Sequence, residues 1–183
     1  MNEEIKVKGE WSIYSLAPEI EESDPAVDTL RQIERGVLSQ ESASAVLNKM
    51  MEKGVVLRVT QQHNLIPTIG RTVLARLLAG TAVPTGEINY IALGTGTTAF
   101  SNASVQLNNE TFRKIVSDAS YDANIAYVDC FIASGDVANQ TFTEAAGFID
   151  GTTGTATGTA FSLVIQNFTK SGSMYISLRV TFS

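Results

Sequence analysis

The chain has 183 residues, 44% of them hydrophobic, and a formal net charge of −6. That length suits one domain with an appendage or two small domains, and the apolar content excludes a wholly disordered chain. An acidic chain without a basic stripe argues against a nucleic-acid partner, and no apolar run approaches the roughly 18 residues of a membrane span. With a single cysteine and no signal-peptide pattern, we expect synthesis in a bacterial cytosol.

Residues 1–63 are predicted to form an arm followed by a helical hairpin. Trp11 lies in a short apolar stretch that suits either a strand or an extended arm, and a large aromatic side chain there needs a pocket. Asp24 is a typical N-cap before Pro25, and Ser39 is the N-cap of a second helix. The apolar stripe of this hairpin consists of Val27, Leu30, Ile33, Val46, Leu47, Met50 and Met51. Because this stripe is narrow, it must pack on the rest of the chain or on a partner.

Residues 64–183 are predicted to form a helix followed mainly by strands. The helix spans residues 64–80, where Ile69, Val73, Leu74, Leu77 and Leu78 make one buried stripe. One strand is predicted before this helix, at 54–60. The strands predicted after it are 87–94, 110–116, 125–132, 141–149, 160–168 and 173–183.

Two of these strands carry informative patterns. Residues 87–94 are apolar on both faces, which indicates that layers cover both sides. The last strand alternates, so Met174 to Phe182 should face a core at every second position, while Tyr175, Ser177 and Arg179 should face water. Residues 118–124 are rich in turn formers and are predicted to be a turn. Short strands separated by Gly/Thr-rich turns favour an antiparallel β-sandwich.

The stretch from Gly94 to Ala99 fits the dinucleotide fingerprint G-x-G-x-x-A after a strand. That fingerprint requires a helix at the turn, whose N-terminal N–H groups bind a pyrophosphate. The residues that follow lack a helical apolar stripe, so a plain loop is favoured and no cofactor is expected.

The other chemical candidates are weak. His63 is the only histidine, and Cys130 lies on an apolar strand face, so a His63–Cys130 dyad has no further support. Asp118 and Asp122 lack the spacing of a calcium loop. Glu144 lies between apolar residues and, if buried, needs an arginine or backbone N–H donors. We therefore expect no catalytic residues, no metal site and no enzyme.

Residues 64–183 resemble virion proteins associated with bacteriophage tails, baseplates or fibres. The resembling motifs are Asn64–Ile66, Gly70-Arg71, Leu74–Leu78, Ile88–Thr98, Leu107, Glu110, Arg113-Lys114 and Thr143–Ala145, together with the closing alternating run. One departure is Glu144-Ala-Ala-Gly-Phe-Ile, where the family pattern has Glu-Ala-Gly before an apolar pair. The resemblance implies a non-enzymatic building block of a phage particle, located in the virion.

The sequence therefore predicts an α+β, mainly β fold: an antiparallel β-sandwich with one packed helix (64–183) and an N-terminal helical-hairpin arm (1–63). The expected function is assembly with other virion proteins, as a homo-oligomer, and the alternative is a receptor- or glycan-binding sandwich at a fibre tip. The residues expected to contact partners are Trp11, Val27, Leu30, Ile33, Val46 and Met50. The competing interpretation is that both N-terminal helices pack on their own sandwich.

Overall fold

The computed structural model describes residues 6–81 and 85–183. In chain order, the elements of these ranges are β1 (Val7–Leu16), α1 (Pro25–Glu34), α2 (Gln40–Glu52), β2 (Val56–His63), α3 (Thr68–Leu78), β3 (Ile88–Gly94), β4 (Glu110–Ile115), β5 (Asp118–Asp122), β6 (Ile125–Ile132), β7 (Gln140–Ile149), β8 (Thr159–Lys170) and β9 (Ser173–Phe182).

The strands form two antiparallel sheets that pack on one another. One sheet has five strands in the order β2-β1-β9-β6-β5, and the other has four in the order β4-β3-β7-β8. Alternate side chains of both sheets meet between them, including Ile13 and Ile176 from the first sheet and Ile91 and Phe142 from the second. The prediction of a mainly β fold built from antiparallel sheets is confirmed.

Strand β1 lies inside the five-stranded sheet and is not an arm. It pairs with β2 on one side and with β9 on the other, so that Trp11 lies between Gln62 and Leu178. A boundary after His63 would cut this sheet, and the predicted division into an arm (1–63) and a separate sandwich (64–183) is therefore wrong. The physical reason is that the backbone N–H and C=O groups of β1 find partners in strands from both parts of the chain.

Helix α1 covers the face of the five-stranded sheet that points away from the core. Val27 and Leu30 are fully buried in a cluster with Tyr14, Leu16 and Tyr175. The competing interpretation of the sequence, in which the hairpin packs on its own sandwich, therefore holds for α1.

Helix α1 also shields one face of β9 from water. Tyr175 and Ser177 were expected to face water, but both are buried. Only at Arg179 and beyond does this side of β9 become partly exposed. The prediction that one face of this strand is exposed to water is therefore wrong for its N-terminal part, because a helix from a distant part of the sequence shields that face.

The helix starts follow the local capping signals. The Asp24 carboxylate accepts a hydrogen bond from the N–H of Ala26 at 2.7 Å, and the Ser39 hydroxyl accepts one from Ser42 at 3.2 Å. Helix α3 is shorter than predicted and only part of its stripe is buried: Val73 is 4% exposed, whereas Leu78 is 91% exposed.

Residues 118–122 form a strand, so the prediction of a turn there is wrong. Asp118 pairs with Asp129 and Asp122 pairs with Ile125, which makes β5 and β6 a hairpin. The turn itself is confined to Ala123 and Asn124, and Ala123 has a positive φ of 49°. Cross-strand pairing with an apolar neighbour overrides the weak strand preference of Asp, Ala and Ser.

The loop between β3 and β4 covers the outer face of the four-stranded sheet. Leu107 is buried against Ala92, Ala146 and Leu163, and Phe100 is partly buried there. The inner face of β3 meets the core through Ile91 and Leu93. The prediction that both faces of this strand are covered is confirmed.

Candidate functional site

Half of the residues expected to contact a partner belong to the interior. Trp11, Val27 and Leu30 are at most 1% exposed. The indole N–H of Trp11 donates to the Ser162 hydroxyl at 2.8 Å, which links β1 of one sheet to β8 of the other. These three residues are therefore unavailable as contact residues, and the hypothesis that Trp11 anchors a partner is wrong.

The other three residues, Ile33, Val46 and Met50, are only half-buried. Two of them lie on α2, a helix that contains no fully buried residue. The apolar stripe of α2 contacts the α1 cluster through Leu47 and Met50, while Met51 remains 44% exposed. We call Val46, Met50 and Met51 the α2 surface. Its apolar side chains are only half covered by their own chain.

A polar cleft opens between the α1–α2 segment and the outer face of the five-stranded sheet. Its volume is about 520 Å³. Its floor and polar rim include Glu10, Tyr14, Glu34, Gln61 and Arg179. One wall is apolar and is made by Ile33, Leu38 and Leu47.

The strand register brings the polar groups of this cleft together. Glu10 of β1 lies opposite Arg179 of β9, and their side chains form an ion pair. Two positions further along β1, Ser12 lies opposite Gln61 of β2, whose side-chain N–H donates to the Ser12 hydroxyl at 3.2 Å. Because side chains alternate along a strand, residues two positions apart share this face.

Glu34, at the end of α1, and Tyr14, on β1, supply the two groups of the cleft whose pKa values are shifted. The Glu34 carboxylate oxygen accepts a hydrogen bond from the Tyr14 hydroxyl. Burial raises the pKa of Glu34 above its usual range, and hydrogen bonds from Tyr14 and Ser12 oppose this change. Burial also raises the pKa of Tyr14, and the neighbouring Glu34 charge raises it further. The Tyr14 phenol therefore stays protonated and acts as a donor.

A second charged network lies beneath α1 and has a structural role. Asp129 is 1% exposed and accepts a hydrogen bond from the Ser177 hydroxyl at 2.8 Å. The guanidinium groups of Arg31 and Arg35 lie 3.4 and 3.3 Å from the same carboxylate, and Arg35 also pairs with Asp118.

Burial raises the pKa of Asp129, while Ser177, Tyr175 and the two arginines act against this change. The network attaches α1 to the sheet. Sequence reasoning missed it, although an aspartate inside the apolar run Ile125–Ile132 was a signal that a partner must exist.

The Gly94–Ala99 turn does not have the architecture of a dinucleotide site. No helix begins in residues 95–109, and the next element is strand β4. The fully buried Glu144 carboxylate accepts the N–H groups of Gly96, Asn108 and Asn109 at 3.0, 2.9 and 2.7 Å. The expectation that a buried Glu144 needs backbone donors is confirmed, and the loop N–H groups bind this internal carboxylate.

The glycines of this turn are explained by close approach. A Cβ atom on Gly94 would collide with the Asn109 carbonyl and the Glu144 carboxylate, and one on Gly96 would collide with the Asn108 side chain. The Gly-x-Gly spacing therefore matches the contacts of the loop with β7.

The remaining chemical candidates lie apart from one another. His63 ends β2, while Cys130 lies on β6, and strands β1 and β9 separate the two in the sheet, so no dyad forms. Cys130 is fully buried, as predicted, and burial raises its pKa to about 12. Within residues 6–81 and 85–183, no group of three or more His, Cys, Asp or Glu side chains could hold a metal ion.

Comparisons with known proteins identify no relative: no family model, no curated protein and no solved structure matches the chain. Among the residues that the structure describes, no helix is long and apolar enough to cross a membrane.

Proposed function

We propose that the chain is a non-enzymatic structural component of a phage particle, in the tail, baseplate, collar or fibre attachment, and that it works through protein–protein assembly. Its partners would be other virion proteins and further copies of itself, after synthesis in the cytoplasm of a bacterial host. The motifs of residues 64–183 that resemble tail and fibre-associated proteins support this proposal.

The structural observation that carries the proposal is the half-covered α2 surface. Val46 and Met50 are half-buried and Met51 is 44% exposed, so their contact with a partner would remove apolar area from water. Leu57, at the start of the neighbouring strand β2, is 45% exposed and adds to the exposed apolar area of this region.

Helix α2 is also held firmly enough to present a defined face. Ser39 caps its N-terminus, and Leu47 and Met50 rest on the cluster beneath α1. A helix fixed on one side and apolar on part of the other is suited to helix-in-groove or helix-to-helix contact. The surface proposed here is smaller than the six residues expected from the sequence, because Trp11, Val27 and Leu30 are buried.

The test compares two substitutions that introduce the same charge on the same helix. Met51→Glu places a carboxylate within the α2 surface, whereas Asn48→Glu places it at an exposed position outside the stripe. Light scattering should show a lower oligomeric mass for Met51→Glu only, and complementation of a phage that lacks the gene should show reduced incorporation for the same variant. Equal melting temperatures would show that folding is intact. If both variants assemble like the wild type, the α2 surface is not the interface.

The second candidate function is recognition of a receptor or glycan. The observation that favours it is the polar cleft, which combines carboxylate, amide and guanidinium groups with an apolar wall. A site of this composition fits a small ligand better than a large protein surface.

A further inference from the structure

The polar cleft has the size of a ligand site and lies on a rigid floor. Its volume of about 520 Å³ falls within the range of pockets that hold small molecules. The floor consists of three neighbouring strands, β2, β1 and β9, and is fixed by ten-residue pairing between β1 and β9. The opposite wall comes from the α1–α2 segment, which the Asp129 network holds in place.

The polar groups keep hydrogen-bonding capacity after their internal contacts are made. Arg179 pairs with one oxygen of Glu10, but a guanidinium has five N–H groups and a carboxylate has two oxygens. The Gln61 amide donates to Ser12, and its carbonyl oxygen is a further acceptor. The cleft therefore offers both donors and acceptors, which suits a ligand whose groups both donate and accept.

The charged groups of the cleft are two carboxyl groups, Glu10 and Glu34, and one guanidinium, Arg179. Arg179 pairs with Glu10, and the partly buried Glu34 carboxyl accepts the Tyr14 hydroxyl. A cationic ligand would have to compete with these internal contacts, and an anionic ligand would meet two carboxyl groups beside a guanidinium that is already paired. The apolar wall of Ile33, Leu38 and Leu47 faces these polar groups and can contact a C–H surface.

We propose that this cleft binds a neutral saccharide unit, whose hydroxyl groups bond to Glu10, Gln61, Glu34 and Arg179 while its C–H face packs on Ile33 and Leu47. Hydroxyl groups both donate and accept, and a sugar ring also carries an apolar face, so the ligand matches both halves of the cleft. The inference rests on the second candidate function, and it is independent of the assembly role of the α2 surface.

The experiment uses saturation-transfer NMR and calorimetry to measure binding of four sugars to the isolated full-length chain: glucose, galactose, mannose and N-acetylglucosamine. Lysine serves as the cationic probe and inorganic phosphate as the anionic one. We expect saturable transfer to the ring protons of at least one sugar, and no saturable binding of lysine or phosphate. Absence of saturable binding by all four sugars, or binding of lysine or phosphate in their place, would overturn the proposal.

A matched pair of variants locates the site. Ala43 lines the cleft, whereas Ala45 is exposed on the same helix and does not line it. Ala43→Trp should fill the cleft and weaken sugar binding at least tenfold, while Ala45→Trp should bind like the wild type. Arg179→Gln, which leaves the cleft open, should also weaken binding, so the conclusion survives if Ala43→Trp fails to fold.

Sugar binding that is unchanged in both Ala43→Trp and Arg179→Gln would place the site elsewhere and refute the inference. Because none of these measurements needs a phage particle, failure of the sugar site and failure of the assembly role can be told apart. The receptor-binding role itself is tested by adsorption of the protein to host cells. Adsorption would persist if the receptor were not a saccharide, even though the proposed sugar site had failed its test.

Discussion

The Glu144 carboxylate accepts the backbone N–H of Gly96 at 3.0 Å, although the two residues lie 48 positions apart in the chain. The same carboxylate accepts the backbone N–H groups of Asn108 and Asn109, so it joins the two ends of the β3–β4 loop. That loop carries Leu107 over the four-stranded sheet. The buried Glu144 side chain thus helps to hold the loop that covers this sheet.

The first prediction concerns Glu144→Gln. The substitution replaces an acceptor oxygen with an N–H₂ group that faces backbone donors, so buried N–H groups lose their partner. We expect a loss of about 1–3 kcal/mol in the free energy of unfolding. Amide exchange should accelerate at Gly96, Asn108 and Asn109 more than in β9. Glu87→Gln, at an exposed position, is the control. Unchanged exchange in the loop would show that other contacts hold it.

A second prediction separates the two faces of β9. Leu178 is fully buried between the sheets, so Leu178→Ala should lower the free energy of unfolding by about 2–5 kcal/mol. Its neighbour Arg179 is partly exposed, and Arg179→Ala should cost about 0.5 kcal/mol. Urea denaturation measures both. Comparable losses for the two variants would contradict the assignment of Leu178 to the core.

The third prediction concerns a chain of residues 64–183 alone. Without residues 7–63 the five-stranded sheet loses β1 and β2, and β9 loses its partner along ten residue pairs. The core also loses Trp11 and Ile13. We therefore expect this fragment to show neither dispersed amide resonances nor a cooperative thermal transition, whereas the full-length chain shows both. A cooperatively folded fragment would mean that β1 is dispensable to the sheet.

The fourth prediction is a pH dependence at Glu34. Because burial raises its folded-state pKa above the ordinary value of 4.5, the folded protein holds this proton more tightly than the unfolded chain. The resulting stabilisation is fully present below the unfolded-state pKa and is lost as the pH rises through the raised folded-state pKa. Relative to Glu34→Gln, the wild type should therefore lose stability as the pH rises from below 4.5 towards neutrality.

Chemical denaturation of both proteins across this pH range measures the effect. Tyr14→Phe separates the causes, because it removes the hydrogen bond to Glu34 but keeps the carboxyl buried. If burial is the main cause, the pH dependence should persist in Tyr14→Phe. A difference between wild type and Glu34→Gln that does not change with pH would show that Glu34 titrates as in the unfolded chain.

Local signals in the sequence were sufficient to predict several elements. Asp24 and Ser39 cap α1 and α2 as predicted, because a cap depends on an N–H group two or three residues away. The inward-facing residues of β9 were also predictable, because strict alternation of apolar and polar residues in a strand places the apolar side chains on one face. Of the candidate site, the sequence indicated an assembly role for α2, but it offered no sign of the polar cleft.

Only the tertiary structure determined the position of β1, the burial of both faces in the first half of β9 and the composition of the cleft. Trp11 and Leu178 lie side by side, and Glu10 meets Arg179, because strands from opposite ends of the chain pair with each other. Such pairing depends on which backbone edges remain free and which faces can be buried together, and short-range sequence patterns carry no record of either. What the sequence determined by itself was the type and approximate limits of most elements. Which of their faces meet, and which charges meet with them, followed only from the fold.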